Sequence, residues 1–155
     1  MGLGYSLGEA LAKASLAIGD RLPSSGTVFM WVRDVDKAGA IQVARDLIDV
    51  GFKLVATTGT AKALRAEGIE VERVNKVGEG RPHIVDAIKN GQVQLIINTT
   101  EGRKAVSDSA QIRQSALQTK VAYTTTLAGG EAFCRAIRFG PERTVRRLQD
   151  LHAGK

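Results

Sequence analysis

Hydrophobic and polar positions along this chain switch between two periods. The β-branched and aromatic run at 27–32 (TVFMWV) predicts a strand. Over 36–50, apolar residues at Ala40, Ile41, Ala44, Leu47 and Ile48 fall on one helical face, with Asp34 or Asp36 as cap and Gly51 as stop. The pattern continues with a strand at 52–57, a helix at 60–67 stopped by Gly68, and a strand at 69–74. A loop with two glycines (NKVGEGR) leads to a helix that Pro82 can open, running to about Lys89. Residues 93–97 (VQLII) read as the most buried strand. A polar loop, a helix at 108–118, a strand at 120–123 and a helix at 127–138 complete the alternation, and a terminal helix begins at Pro141.

Strands that alternate with helices through short connections predict an α/β fold: a three-layer, five-stranded parallel sheet with helices on both faces. Ligands of such sheets bind at the carboxyl ends of the strands. Each loop that follows a strand is therefore a candidate for chemistry.

Five such loops stand out. The first places Lys37 in the opening turn of a helix, where the helix dipole disfavours a cation unless an anion is held there. The second, Thr57-Thr58-Gly59-Thr60, carries three hydroxyls where one would cap the helix, which suggests a phosphate or carboxylate cradle. It lacks the Gly-Lys-Ser/Thr ending of a P-loop. The third carries Lys76, with His83 read as a helix-start residue. In the fourth, Asn98, Thr99 and Thr100 follow the most buried strand. The fifth, Tyr123-Thr124-Thr125-Thr126, repeats the hydroxyl-rich turn. Together they suit a small phosphorylated ligand bearing a ring. No paired carboxylates, Ser/His/Asp set or Cys/His metal spacing accompanies them, so binding is favoured over catalysis.

Composition narrows the classes. With 155 residues the chain suits one compact domain with room for an appendage. Aromatics are 5% of residues, so the core is expected to be aliphatic. The single cysteine, Cys134, reads as a packing residue and favours a cytoplasmic location. The net charge of +6 is spread along the chain with no nucleic-acid-binding motif, and no apolar run is long enough for a membrane span. Neither nucleic acid nor membrane is expected as a partner. The first 25 or so residues stand apart: an amphipathic helix with Leu7, Leu11, Ala14 and Ile18 along one side, then a Pro-Ser-Ser-Gly linker.

The segments TTGTAKAL, VNKVGEGRPHIVDAIKNG, IINTTEGRKAVSDS and IRQSALQTKVAYTTTLAGG resemble the C-terminal allosteric domain of bacterial-type carbamoyl-phosphate synthetase large chains. That domain has the methylglyoxal-synthase-like, Rossmann-like fold. The resemblance runs from about Gly26 to His152. It implies that residues 1–25 end a preceding synthetase domain with its linker, and that 26–155 form the allosteric nucleotide-binding domain. It further implies a regulatory, non-catalytic part of an ATP-dependent ligase of arginine and pyrimidine biosynthesis, binding UMP as inhibitor and IMP as activator. Lys37, Thr57, Thr60, Lys76, Asn98, Thr99, Thr100 and Ser109 match the family's nucleotide-binding pattern. The threonine turn would hold the monophosphate with both lysines, and Asn98, Thr100 and Ser109 would lie nearer ribose and base.

By the same resemblance, no cofactor belongs to this fragment, while the parent enzyme would use ATP, Mg2+ or Mn2+, and K+. Its partners would be the remaining synthetase domains and, through them, a glutaminase small subunit, with self-association left open. Tyr123 and Thr125 match an ornithine-sensing stretch, but Thr124 replaces the family's acidic residue, which puts ornithine in doubt. Trp31 stands where the family often has a small residue and would crowd or stack on a base. The rival readings are a methylglyoxal synthase-type lyase acting on dihydroxyacetone phosphate, and a purely structural interaction domain. The lyase needs aspartates in the third loop and after the fourth strand, where this chain has Gly78-Glu79-Gly80-Arg81 and Asn98-Thr99-Thr100.

Overall fold

The computed structural model describes residues 1–19, 22–99, 103–140, 145 and 147–153, with the backbone alone at 103–106 and 151. In chain order the elements are α1 (Leu7–Ala17), β1 (Gly26–Trp31), a 3-10 turn (Asp34–Asp36), α2 (Lys37–Asp49), β2 (Phe52–Ala56), α3 (Thr58–Ala66) and β3 (Glu72–Arg73). There follow α4 (Ile84–Lys89), β4 (Leu95–Asn98), α5 (Arg103–Thr119), β5 (Ala122–Thr124), α6 (Leu127–Phe139) and α7 (Leu148–His152).

The five strands form one sheet in the order β3-β2-β1-β4-β5, every neighbouring pair parallel. The chain builds outward from β1 through β2 to β3, then returns to place β4 on the other side of β1. The strand order therefore reverses between β1 and β4, the point at which sheets of this kind bind their ligands. Trp31 and Asn98, the last residues of those two strands, lie opposite each other in register.

Alternation along β1 separates two cores. Val28, Met30 and Val32 pack with Ala40, Val43 and Leu47 of α2, Leu64 of α3 and Cys134 of α6. Phe29 and Trp31 pack with Ile84, Val85 and Ile88 of α4 and with Ile112 and Ala116 of α5. Helices thus cover both faces, which is why the central strands are apolar on both sides. Gly130 lets α6 settle on the sheet, since a Cβ there would stand 2.8 Å from Ile97 Cδ1. Among the described residues, no helix is long and apolar enough to cross a membrane.

Element bounds depart from the sequence reading where local chemistry competes with the sheet. The stretch expected as a strand at 69–74 pairs only over Glu72–Arg73. Upstream, Ile69 donates to Leu64 O at the end of α3, and the Arg65 guanidinium holds Val71 O. These bonds replace a ladder for the edge segment. Pro82 does not open α4; it follows a cis bond from Arg81, and His83 is the N-cap, its N–H donating to Asp86 Oδ2 at 3.0 Å. Asn98 belongs to β4 rather than to the loop beyond it.

Helix α1 packs against α6, through a different face from the one its apolar pattern suggests. Leu7 and Ile18 stay exposed, while Gly8 and Ser15 are buried. A Cβ on Gly8 would come within 2.6 Å of Arg135 O, so glycine is what allows the two helix backbones to meet. Glu9, 3% exposed, accepts from Tyr5 N–H at 2.9 Å and pairs with Lys13 at 2.8 Å, and Lys13 also donates to Leu3 O. The segment before α1 is thereby folded back along the helix.

Gly8→Val tests the close approach. No rotamer of valine avoids a backbone carbonyl, and such overpacking costs about 1–3 kcal/mol. We expect a lower Tm and faster hydrogen exchange in α1; an unchanged Tm would show that the stability of the domain does not depend on α1 docking.

Candidate functional site

Sheet parity divides the residues at the switch point between two sides. Thr57, Thr60, Lys37 and Thr99 lie where α2 and α3 begin; Trp31, Asn98, Ser109 and Tyr123 lie toward α5, with Lys76 over the Trp31 ring. Each group is fixed by bonds the sequence could not display.

On the first side, Thr57 is the N-cap of α3, with extended backbone. Its hydroxyl does not cap the helix; it donates instead to Thr60 Oγ1 at 3.4 Å. Thr60 Oγ1 accepts from Val32 N–H at 3.2 Å, in a position 1% exposed. Two of the three hydroxyls in the turn therefore tie the start of α3 to the end of β1. The N–H groups of Thr58, Gly59 and Thr60 are left without a hydrogen-bond partner among the described residues. The other hydroxyl-rich turn behaves differently: Thr126 Oγ caps α6 by accepting from Gly129 N–H at 3.0 Å. Ser6 caps α1 in the same way.

Lys37 faces the open end of α3. Its Nζ stands 3.6 Å from where a Cβ on Gly59 would be, and it pairs with Asp34 at 2.6 Å. Neither Asp34 nor Asp36 caps α2 through its side chain, contrary to the sequence expectation. Asp34 binds Lys37, and Asp36 binds Arg33 Nε at 2.8 Å. Lys37 holds the Asp34 carboxyl below the ordinary range, chiefly by hydrogen bonding. Arg33, then Thr99, do the same for Asp36. Thr99 also ties the β4 end to the first loop: its N–H donates to Trp31 O at 3.0 Å and its hydroxyl accepts from Arg33 N–H. These two acids therefore border the site as ion-pair partners rather than as helix caps. Their i,i+3 spacing to Lys37 and from Arg33 was the available signal.

On the second side, Asn98 is 3% exposed and its amide donates to Ser109 Oγ at 3.0 Å and Tyr123 Oη at 2.9 Å. One buried amide thus joins β4, α5 and β5. Burial raises the Tyr123 pKa, opposed by the Asn98 bond and by Arg113, so the phenol stays neutral at physiological pH. The Lys76 ammonium lies over the Trp31 ring, 5.0 Å from its centroid. Thr125 is exposed in the turn before α6. Thr100 lies outside the described residues.

What the arrangement can do follows from its parts. An unfilled helix N-terminus with a lysine at its mouth suits an anion. A general base is poorly served, because both bordering aspartates are held ionised by cations and hydrogen bonds and are weakened as proton acceptors. Among the described residues, no group of His, Cys, Asp and Glu could hold a metal ion.

The Thr60 hydroxyl has a structural duty that can be measured apart from any ligand. Thr60→Val keeps the shape but leaves Val32 N–H buried without an acceptor, at a cost of about 1–3 kcal/mol. Chemical denaturation should show that loss, with Thr60→Ser close to the parent; equal stability of all three would mean the bond contributes nothing.

Comparison with known proteins bears on the same region. Residues 39–125 match the family model described as the MGS-like domain. The chain is 62% identical over 154 residues to the carbamoyl phosphate synthase large chain of Pseudomonas putida, covering 99% of this chain and 14% of that protein. It is 54% identical over 157 residues to the protein of the same name from Halomonas eurihalina, covering 99% of this chain and 15% of that one. The chain therefore spans about one seventh of the length of these curated relatives. The match takes in β2 through β5 and most of α2, hence the whole sheet except β1, and on it this chain belongs to the MGS-like domain family.

Proposed function

We propose that this chain is the regulatory domain of a carbamoyl-phosphate synthase large chain, binding a nucleoside monophosphate at the β1–β4 switch point and passing the signal to the synthetase domains. The observation that carries this reading is the α3 N-terminus, left uncapped although a threonine occupies the cap position, with Lys37 aimed at it. A phosphate there would receive the N–H groups of Thr58, Gly59 and Thr60 and the Lys37 charge, at the favourable end of the helix dipole. UMP as inhibitor and IMP as activator are the effectors proposed. The Asn98–Ser109–Tyr123 cluster, buried at Asn98 and Ser109 and half-buried at Tyr123, supports a place for ribose and base beside the phosphate.

The coupling is a two-state equilibrium. Effector binding shifts the synthetase only if one state holds the nucleotide better, by typically ~1–3 kcal/mol. The loops after β1, β2 and β4 are joined by the Val32–Thr60 and Arg33–Thr99 bonds, which supports their responding together. The ATP, divalent ion and K+ requirements, the glutaminase small subunit and the ligase activity belong to the proposed parent. Ornithine sensing is not proposed, because Thr124 offers no carboxylate to an ammonium ligand.

Calorimetry of the chain with UMP, IMP, inorganic phosphate and uridine tests the reading. UMP or IMP should bind below millimolar and uridine far more weakly. Lys37→Ala removes one charge-assisted bond, worth about 1.5–3 kcal/mol, so monophosphate affinity should drop about tenfold or more with uridine unaffected. If no phosphorylated ligand binds below millimolar, the regulatory-site reading fails.

A further inference from the structure

The two lysines at the switch point are held in different ways. Lys37 is paired with the exposed Asp34 carboxylate, which an incoming anion would have to displace. Lys76 forms no ion pair among the described residues; its ammonium rests on the face of Trp31, 5.0 Å from the ring centroid and inside the range of a cation–π contact. Trp31 is itself held by packing. It is 7% exposed, packed among the residues of the α4–α5 core, and closes β1 opposite Asn98.

We propose that Trp31 is a positioning residue for anion binding: its indole face holds the Lys76 ammonium at the mouth of the β1–β4 crevice with its charge intact. The proposal rests on the anion-binding reading above and adds a residue to it. The physical reason is preorganisation. A lysine side chain that wanders in solvent loses rotamer freedom when it engages a ligand, and that loss subtracts from affinity. An aromatic face restrains the side chain beforehand through the quadrupole of the ring, without neutralising the ammonium as a carboxylate would. The backbone beneath contributes too. Lys76 N–H donates to Glu79 Oε2 at 3.0 Å, Glu79 N–H returns to Lys76 O at 3.1 Å, and Ile84 N–H donates to Asn75 O at 3.1 Å. The loop is pinned at its base and turned at Lys76, so the side chain starts from a defined direction.

This assigns Trp31 a role distinct from a stacking platform for a base. A stacking platform would favour nucleotides over inorganic phosphate. A positioning residue acts on both alike, and only while Lys76 is present.

The test is a double-mutant cycle in the full 155-residue chain, with UMP and inorganic phosphate as probes. Trp31→Leu should weaken both ligands about threefold to tenfold. In a Lys76→Met background the same change should have no further effect, and Trp31→Phe, which keeps a ring, should restore part of the loss. If Trp31→Leu does not fold, the cycle runs on Trp31→Phe, whose loss should likewise vanish without Lys76. Trp31 is the single tryptophan of the chain, so its emission reports the contact directly and should change in Lys76→Met. Equal losses with and without Lys76, unchanged affinity in the Trp31 variants, loss for UMP alone, or unaltered emission would each overturn the proposal while the anion site stands. If the parent chain binds neither probe, the anion-site reading falls, and this proposal with it.

Discussion

The pairing of β1 with β4, with Trp31 opposite Asn98, governs what the rest of the molecule can present at its crevice. Side chains on a strand alternate between faces, so a slip of one residue would send Trp31 toward α2 and α6 and expose Val32 to the other core. Held in this register, β1 ends with its indole on the α5 side, and its next N–H, that of Val32, reaches Thr60 on the other. Thr99 continues the same logic one residue beyond β4, where its backbone and hydroxyl bind Trp31 and Arg33. The crevice is thus a consequence of strand pairing, and its walls are tied to the sheet by buried hydrogen bonds whose loss would leave polar groups unsatisfied.

Hydroxyl groups are spent differently at different helix starts. Ser6 and Thr126 satisfy the orphan N–H groups of α1 and α6. At α3 the two buried threonines serve a junction between elements, and the helix end is left for something else. A turn with three hydroxyls is therefore less a ring of ligand donors than a clamp that keeps backbone donors pointing outward. On the reading proposed above, the donors offered to an anion would be mostly main chain, assisted by charge from Lys37, and a glycine in the middle would cost them nothing.

Much of this was legible from residue order. The five-strand alternation, the buried Ala40, Ala44 and Leu47 of α2 (though Ile48 is exposed and Val43 takes its place in the core), and the clustering of hydroxyls, amide and lysines at strand ends follow from periodicity and position. What escaped depended on which partner each side chain takes, whether a few residues away or far along the chain. The short β3 reflects Arg65 taking the Val71 carbonyl, a bond that no local propensity encodes. Asp34 and Asp36 sit where caps sit, but two equally local cations, Lys37 and Arg33, take their carboxylates instead. The buried side of α1 ran against its apolar pattern because Gly8 offered a closer approach than any leucine could. Trp31 showed only as an oversized residue, since the cation above it comes from a loop 45 positions on.

The contact at Gly8 has a mechanical consequence. Two helices whose backbones meet at a glycine resist sliding past each other at that point, because a shift brings a carbonyl against the neighbouring chain. α6 is in turn seated on the sheet at Gly130, against Ile97, the residue just before Asn98. A tilt of α6 at that seat would therefore reach α1 through the Gly8 contact instead of being absorbed by side chains between the two helices.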